Sequence, residues 1–243
     1  IPFERGEAFQ PATPDPFTLG AFSLLGLGTL KQRERLRVAI PITDSEGLPG
    51  ETSLGRIDDL ALLHYAGLLA NRVRHAAGLG ILLSDYFRLQ VEVKQFQGQW
   101  LQLEEPAQTC LGSHGSLGLD AVAGERVWDI QGRVRLRVGP LTYREFQEFF
   151  PDREPHAKRK TLFLFSHLAR FYIGPELDFD VQLLLYAAEI PTCQLATEAE
   201  LGPRLGWNCW LLSETPTQNS EDAVFEGEPL THVGTIAASV AVA

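Results

Sequence analysis

Two acidic side chains, Asp178 and Asp180, are the residues of this chain whose spacing best suits catalysis. Carboxylates two positions apart at the start of a strand lie on the same side of the backbone, where they can share a divalent metal ion. The sequence therefore allows one enzymatic hypothesis, a metal-dependent transferase that uses both carboxylates. A three-residue pattern of this kind is also common by chance, and two solvated acids are the simpler explanation.

The other common signatures of catalytic and cofactor sites do not occur in the sequence. The six histidines form no H-E-x-x-H pair, the cysteines form no C-x-x-C pair, and there is no phosphate-binding glycine loop and no G-x-S-x-G motif. The three cysteines, Cys110, Cys193 and Cys209, are odd in number and far apart in sequence, which argues against a disulfide framework and favours a reducing compartment. We therefore predict a protein that is not an enzyme and has no catalytic residues, no metal and no cofactor.

The composition excludes two classes of partner. With 243 residues, 44% of them hydrophobic and 21% charged, the chain is long and apolar enough to form a globular core. A net charge of −10 argues against nucleic acid, because phosphate binding depends on Lys and Arg. The longest apolar run, residues 60–70, is well short of the roughly 20 residues that cross a bilayer. We expect no nucleic-acid partner and no membrane insertion.

Two stretches of the chain, residues 97–124 and 188–212, are rich in Leu and Trp but have no regular period. Loops are normally polar, and exposed Trp and Leu side chains reduce solubility unless a partner covers them. We predict that both loops bind partners; the alternative is that both fold back onto their own core. The candidate residues are Trp100, Leu101, Leu103, Leu111, Leu117 and Leu119 in the first loop and Leu205, Trp207, Trp210 and Leu211 in the second.

The loops belong to a pattern that occurs twice. A strand-like segment at residues 91–96 precedes the first loop, and a fainter counterpart at 181–186 precedes the second at nearly the same spacing. Such repetition is typical of duplicated supersecondary units. We predict an α+β chain with an irregular N-terminal segment that contains a short helix (1–53), a first repeat unit (54–151), and a second repeat unit that ends in a mobile tail (152–243).

Two further elements carry candidate surfaces. A helix is predicted over residues 58–78, with Leu62, Ala66, Leu69 and Val73 at helical spacing beside a strip of small residues, which suits either packing within the chain or contact with a partner helix. A strand is predicted over residues 133–138, where apolar side chains alternate with Arg133, Arg135 and Arg137. The arginines form either a solvated outer face or a contact for an acidic partner.

Several blocks of residues follow one another in a recognisable order. They are Tyr65-Ala66-Gly67-Leu68-Leu69-Ala70-Asn71-Arg72, Gly78 with Leu83-Ser84-Asp85-Tyr86-Phe87, Phe96-Gln97-Gly98-Gln99-Trp100-Leu101, Leu117-Gly118 with Asp120-Ala121-Val122 and Gly124, Arg126-Val127-Trp128-Asp129, Leu136-Arg137-Val138-Gly139-Pro140-Leu141, and Arg204-Leu205-Gly206-Trp207 with Trp210-Leu211. Together they resemble the TssG family (also called ImpH/VasB), a baseplate subunit of bacterial type VI secretion systems, and the match covers about residues 17–212.

The resemblance implies a structural adaptor in a contractile, phage-tail-like injection machine. Members of the family join two copies of TssF in a wedge like those of phage baseplates, work beside other baseplate components, and recruit two TssK trimers through two loops. This would place the chain in the cytoplasm, in a baseplate docked to the inner-membrane complex. We assign the two loops to TssK, and the helix residues Leu62, Ala66, Leu69 and Val73 to TssF.

One departure from the family and two rival hypotheses remain. The family usually carries a further N-terminal region, whereas this chain starts at Ile1 and contains no Met, so we expect its natural beginning to be missing. The rivals are the transferase that uses Asp178 and Asp180 and a self-assembling tail or shell subunit.

Overall fold

A computed structural model describes residues 16–29, 37–43, 49–57, 59–110, 112, 116, 118–119, 121–122, 124–150, 161–193, 203–214 and 216–227. The chain divides into two compact units, residues 1–74 and 75–243. Helices and strands are mixed along the chain, which confirms the predicted α+β class. Among the described helices, none has the length and apolar character required to span a membrane.

Within its described residues, the first unit contains three short helices and a β-hairpin. In chain order, its elements are α1 (Pro16–Leu24), β1 (Arg37–Thr43), β2 (Pro49–Arg56), α2 (Asp59–His64) and α3 (Ala66–Leu69). The short N-terminal helix is present, but the prediction that the rest of residues 1–53 is irregular is wrong, because β1 and β2 pair as antiparallel strands. Pro41 pairs with Glu51 in this hairpin. A two-stranded sheet tolerates Pro because each strand has a free edge that needs no N–H donor.

The helix predicted over residues 58–78 is wrong as a single element. Tyr65 separates α2 from α3 with φ −96° and ψ 15°, and α3 is closed by Ala70. His75 is extended, with φ −115° and ψ 149°, and the next helix begins at Ala76. Gly78, predicted as a helix stop, therefore lies inside that next helix.

The second unit is built around one four-stranded sheet. Its elements are α4 (Ala76–Phe87), β3 (Val91–Lys94), β4 (Gln99–Gln102), β5 (Arg126–Asp129), β6 (Arg133–Leu141), α5 (Tyr143–Glu148), α6 (Thr161–Ile173), β7 (Asp178–Leu185) and β8 (Ser220–Glu226), with 3-10 turns at Glu105–Ala107 and Ala187–Glu189. The strand order is β3-β6-β7-β8. The β6–β7 pair is parallel and the outer pairs are antiparallel.

The two faces of this sheet differ because apolar and polar residues alternate along its strands. Leu136 pairs with Val181 and Val138 with Leu183, and all four side chains are buried. The intervening positions of β6 and β7 place Arg135 opposite Asp180 on the other face. Each fully buried aliphatic side chain contributes about 1.5–3 kcal/mol to folding, so the apolar face supplies much of the stability of this unit.

Aromatic side chains join the helices to one another. The ring of Phe165 in α6 lies 5.2 Å from that of Phe87 in α4 and 5.7 Å from that of Phe149, centroid to centroid. Gly78 is required in α4 because a Cβ at this position would overlap the hydroxyl of Tyr172 in α6 and the ring of His75. The close approach of these helices explains a glycine in a helix interior, where it otherwise costs about 0.5–1 kcal/mol relative to Ala.

Helix α5 begins with a reciprocal cap. The Thr142 hydroxyl accepts a hydrogen bond from the Glu145 N–H, and the Glu145 carboxylate accepts one from the Thr142 N–H. Phe146 in this helix and Phe149 and Phe150 just after it are all buried.

The predicted repeat units both contribute to this sheet, since β3 and β6 come from residues 54–151 and β7 and β8 from residues 152–243. The internal duplication and its boundaries stay predictions. Strand β8 lies in the C-terminal part of the second predicted unit. Residues 228–243, which include the end of the predicted mobile tail, and residues 152–160 and 1–15 lie outside the described residues.

Candidate partner-binding surfaces

Strand β4, near the start of the first predicted loop, and strand β5, just after the end of that loop, form a two-stranded antiparallel sheet, which we call the ribbon. The ribbon extends the β3–β6 pair, because the Gln97 N–H donates to the Arg133 carbonyl at 3.0 Å between the two pairs of strands. At the junction Phe96 has φ 58°, a left-handed conformation that turns the strand locally. The stretch that we predicted to be a loop therefore contains a strand near its start, and the partner of that strand follows its end.

The ribbon carries exposed apolar side chains on both faces. Trp100 lies opposite Trp128 on one face, and Leu101 lies opposite Val127 on the other. The two indole rings meet edge to face with centroids 5.2 Å apart, yet Trp100 is 62% exposed and Trp128 is 53% exposed. Leu101 and Val127 are also exposed. Exposed aromatic pairs of this kind are typical of binding surfaces, where a partner removes them from water.

The base of the ribbon is held by a glycine and a carboxylate. Gly98 lies under the indole of Trp128, so closely that a Cβ at this position would overlap the ring. The Asp129 carboxylate accepts hydrogen bonds from the N–H groups of Gln131 at 3.0 Å and Gly132 at 2.9 Å. The bond from Gln131, with those from Gln99 and Gly132, holds the pKa of Asp129 below its ordinary value of 3.8. The turn between β5 and β6 is therefore stabilised by an ionised side chain.

The remaining predicted binding residues of the first loop lie beyond the end of β4. The Leu103 N–H donates to the Glu125 carbonyl at 2.9 Å, and the Leu103 side chain is half-buried. Leu119 is exposed. Leu111 and Leu117 lie outside the described residues. Val127 and Trp128 were not among the predicted binding residues; the alternation of Arg126-Val127-Trp128-Asp129 after a glycine-rich stretch is the signal that could have identified them.

The tryptophans of the second loop do not project from the protein, contrary to our expectation. Trp207 packs on Phe150 and Phe225, with ring centroids 5.5 and 5.4 Å away. Trp210 packs on Phe146 with centroids 5.8 Å apart, and its indole N–H donates to the Ser220 hydroxyl at 2.9 Å. These contacts join both indoles to the core of their own unit, so they anchor the loop.

Two leucines project from the described part of this loop. Leu205 is 92% exposed and Leu211 is 93% exposed, and each is next to or near an anchored tryptophan. Between them, the Asn208 side-chain oxygen accepts from the Arg204 N–H at 2.7 Å. The second loop therefore presents leucines on a fixed base, whereas the ribbon presents tryptophans.

The four helix residues predicted to bind a partner do not form one exposed stripe. Leu62 in α2 and Leu69 in α3 are buried, and Ala66 is half-buried. Val73 follows α3 and is exposed. The break at Tyr65 and the end of α3 before Val73 explain why the helical spacing fails to place these residues on a single face.

The acidic pair of the transferase hypothesis is divided between two environments. The Asp180 carboxylate accepts two hydrogen bonds from the Arg135 guanidinium, at 2.7 and 2.8 Å, and its side chain is only 4% exposed. The bond to Asp180 raises the pKa of Arg135, so the guanidinium stays charged. Asp178 is exposed. Both oxygens of Asp180 are thus engaged by an arginine, and the residues described in the structure contain no group of three His, Cys, Asp or Glu side chains that could hold a metal.

Two of the three arginines predicted to form a face on β6 are paired within the chain. Besides the Arg135–Asp180 pair, Arg137 contacts Glu92 at 3.0 Å and also Glu221. Both arginines are half-buried. Because Arg135 and Arg137 are already paired with carboxylates, they are poorly suited to recruit an acidic partner.

Comparisons with known proteins identify relatives of this arrangement. A family model described as "Type VI secretion, TssG" matches residues 5–212. A chain of the cryo-electron microscopy structure of a type VI secretion TssK-TssF-TssG baseplate subcomplex has a TM-score of 0.63 at 18% identity, over 87% of this chain and 79% of that chain. A chain of a second type VI baseplate complex has a TM-score of 0.50 at 19% identity, over 89% and 54%. No curated protein matches in sequence.

Proposed function

Because the chain belongs to the TssG family of type VI secretion proteins, we propose that it is a structural adaptor of the secretion baseplate that packs with TssF and recruits TssK. The observation that carries this proposal is the ribbon, whose indoles are more than half exposed while their positions are fixed by the pairing of β4 with β5. The similar chains come from baseplate structures, one of which contains TssK and TssF beside TssG.

The ribbon suits a binding role for an energetic reason. A tryptophan can bury 150–250 Å² on association, and a few such side chains supply most of the affinity of an interface. Rigid strands lower the entropy lost on binding, because the side chains are already positioned. A partner that covers both faces of the ribbon would remove Trp100, Trp128, Leu101 and Val127 from water together.

The second loop offers a second, chemically different site. Leu205 and Leu211 project from a base that Trp207 and Trp210 hold against the core. We assign one TssK trimer to the ribbon and one to these leucines. Binding at two sites raises the overall affinity by avidity, provided that both sites can be occupied at once.

We assign TssF to the same region as before, residues 58–78, but to fewer of its side chains. Leu62 and Leu69 are buried, which leaves Val73 as the exposed apolar candidate among the four residues. The proposed role includes two copies of TssF and a position beside other baseplate components. It places the chain in the cytoplasm, at the inner-membrane complex.

The enzymatic rival is less well supported, since Arg135 already binds both oxygens of Asp180. A self-assembling subunit remains the meaningful competitor, because an exposed apolar ribbon can also bind a second copy of itself. Sizing of the isolated chain separates the two: the adaptor is monomeric until TssF or TssK is added, whereas a self-assembling subunit forms oligomers alone.

The decisive experiment compares ribbon variants with matched controls in co-expression with TssF and TssK. The double variant Trp100→Ser and Trp128→Ser should retain TssF and lose one of the two TssK trimers when the complex is sized by light scattering. Tyr186→Ser, which also removes an exposed aromatic side chain of the same unit but lies off the ribbon, should retain both partners. Full TssK occupancy in the double variant would overturn the assignment of the ribbon.

A further inference from the structure

Cys193 and Cys209 come together although they are 16 positions apart in sequence. The Cys209 thiol donates a hydrogen bond to the Cys193 sulfur, with 3.2 Å between the two Sγ atoms. Both residues are half-buried, so small reagents can reach them, and both are free thiols in this structure. The sequence alone gave no reason to pair them, because the cysteines are odd in number and widely spaced.

The segments that carry the two thiols are anchored independently. Cys209 lies between Trp207 and Trp210, whose rings pack on the core. Cys193 follows the turn Ala187–Glu189, in which the Ala187 N–H donates to the Asn219 side chain at 3.0 Å. The proximity of the sulfurs is therefore a product of several contacts that hold both ends of the second loop.

We propose that Cys193 and Cys209 form a reversible disulfide that closes the base of the second loop when the chain meets a small-molecule disulfide such as oxidised glutathione. The sulfurs need to approach by only about 1 Å to reach bonding distance. This inference concerns a modification site and does not depend on which partner the loop binds.

The reaction is an ordinary thiol–disulfide exchange in two steps. The Cys193 thiolate attacks one sulfur of oxidised glutathione, forms a mixed disulfide and releases one glutathione thiolate, which takes up a proton. The Cys209 sulfur, after loss of its proton to solvent, then attacks the Cys193 sulfur and releases the second glutathione. The two protein thiols are oxidised to one disulfide, and one glutathione disulfide is reduced to two thiols.

The geometry also assigns the order of attack. The hydrogen bond that Cys209 donates to Cys193 raises the pKa of the Cys209 thiol, so Cys209 keeps its proton longer. Cys193 is thus the attacking residue and Cys209 the resolving one.

The experiment is a redox titration of the whole chain, read by peptide mass. After equilibration with mixtures of oxidised and reduced glutathione, free thiols are alkylated in denaturant and the chain is digested with trypsin. Arg204 is the only Lys or Arg between the two cysteines and no other follows it, so the cysteines fall in separate peptides, residues 171–204 and 205–243. Cys110 lies in a third peptide, residues 95–126, and reports non-specific oxidation.

The expected product is the peptide pair 171–204 and 205–243 joined covalently, lighter by two hydrogen atoms than the sum of the separate peptides. It should dominate in excess oxidised glutathione and disappear with dithiothreitol, and it should persist in Cys110→Ser. The oxidised chain should also melt roughly 5–10 °C higher than the reduced chain. In Cys209→Ser, which lacks the resolving thiol, Cys193 should accumulate one glutathione adduct.

Two results would overturn the proposal. One is recovery of Cys193 and Cys209 as separately alkylated peptides in excess oxidised glutathione. The other is accumulation of glutathione adducts on the unaltered chain in place of the joined peptide pair, because adducts that are not resolved mean that the two sulfurs do not meet. Both readings come from the unaltered chain, so neither depends on the folding of a variant.

Discussion

Trp100 and Trp128 lie directly opposite each other in the ribbon, with their indole rings edge to face and 5.2 Å between centroids. Such a pair contributes about 0.5–1.5 kcal/mol beyond the area that it buries. Both rings nevertheless remain more than half exposed, so the pair stabilises the ribbon without using up its capacity to bind a partner.

Gly98 should be essential for this arrangement. In Gly98→Ala the new Cβ overlaps the Trp128 indole, so the ring must move and the Trp100–Trp128 contact is lost. We expect a change in the near-ultraviolet circular dichroism of tryptophan and weaker TssK binding, with little change in the melting temperature because the ribbon lies outside the core.

Gly67→Ala is the matched control for that change, because a Cβ at Gly67 meets nothing within 4 Å. It should leave the tryptophan signal unaltered and stabilise α3 by about 0.5–1 kcal/mol. An unchanged tryptophan signal in Gly98→Ala would contradict the placement of the indole over the glycine.

Trp210 and Leu211 should separate stability from binding, although they are neighbours. Trp210→Ala removes the packing on Phe146 and the hydrogen bond to Ser220, and should lower the free energy of unfolding by about 2–3 kcal/mol, somewhat less than a fully buried Trp. Leu211→Ser should leave the unfolding free energy within about 0.5 kcal/mol of the unaltered chain, as for other surface substitutions, and weaken TssK binding. Urea unfolding of both variants tests this, and equal losses of stability would argue against the assignment.

The features that could be predicted from the sequence are those that depend on local residue patterns. Val134, Leu136 and Val138 alternate within one strand, so the buried face of β6 was visible without any partner strand. The ribbon was not visible, because β4 and β5 have four residues each and their pairing joins Trp100 to a residue far along the chain. The resemblance to the TssG family supplied the identity that short-range patterns could not.

The same distinction explains the error at the second loop. Trp207 and Trp210 look unshielded in sequence, and the aromatic residues that cover them, Phe146, Phe150 and Phe225, come from α5, the residues just after it, and β8. The pairing of Arg135 with Asp180 likewise depends on the parallel register of β6 and β7. Local composition indicates that a side chain needs cover but not where the cover comes from.

Removal of Arg135 should be costly because it leaves Asp180 with a buried, uncompensated charge. Arg135→Met should destabilise the protein by about 3 kcal/mol, the lower end of the range for a broken buried pair, since the arginine itself is partly exposed. In the double variant with Asp180→Leu much of this loss should be recovered, as measured by urea unfolding. If the stability lost in the double variant equalled the sum of the losses in the two single variants, Arg135 and Asp180 would not be coupled.

Asp129 should make the turn between β5 and β6 sensitive to acid. Its folded pKa lies below 3.8, so the turn favours the ionised carboxylate; this stabilisation is complete above pH 3.8 and is lost as the pH falls through the folded pKa. The difference in melting temperature between the unaltered chain and Asp129→Asn should be constant at neutral pH and shrink below pH 3.8. If the difference in melting temperature stayed constant down to about pH 2, the Asp129 carboxylate would not stabilise the turn through its charge.

Direct contact between the ribbon and TssK is the central claim, and site-specific photo-crosslinking tests it most directly. The photoreactive residue benzoylphenylalanine would replace Trp100 in one sample and Tyr186 in the control, each co-expressed with TssF and TssK and irradiated after assembly. The account predicts a covalent TssK adduct from position 100 and none from position 186. An assembled complex that gives no TssK adduct from position 100 would contradict it.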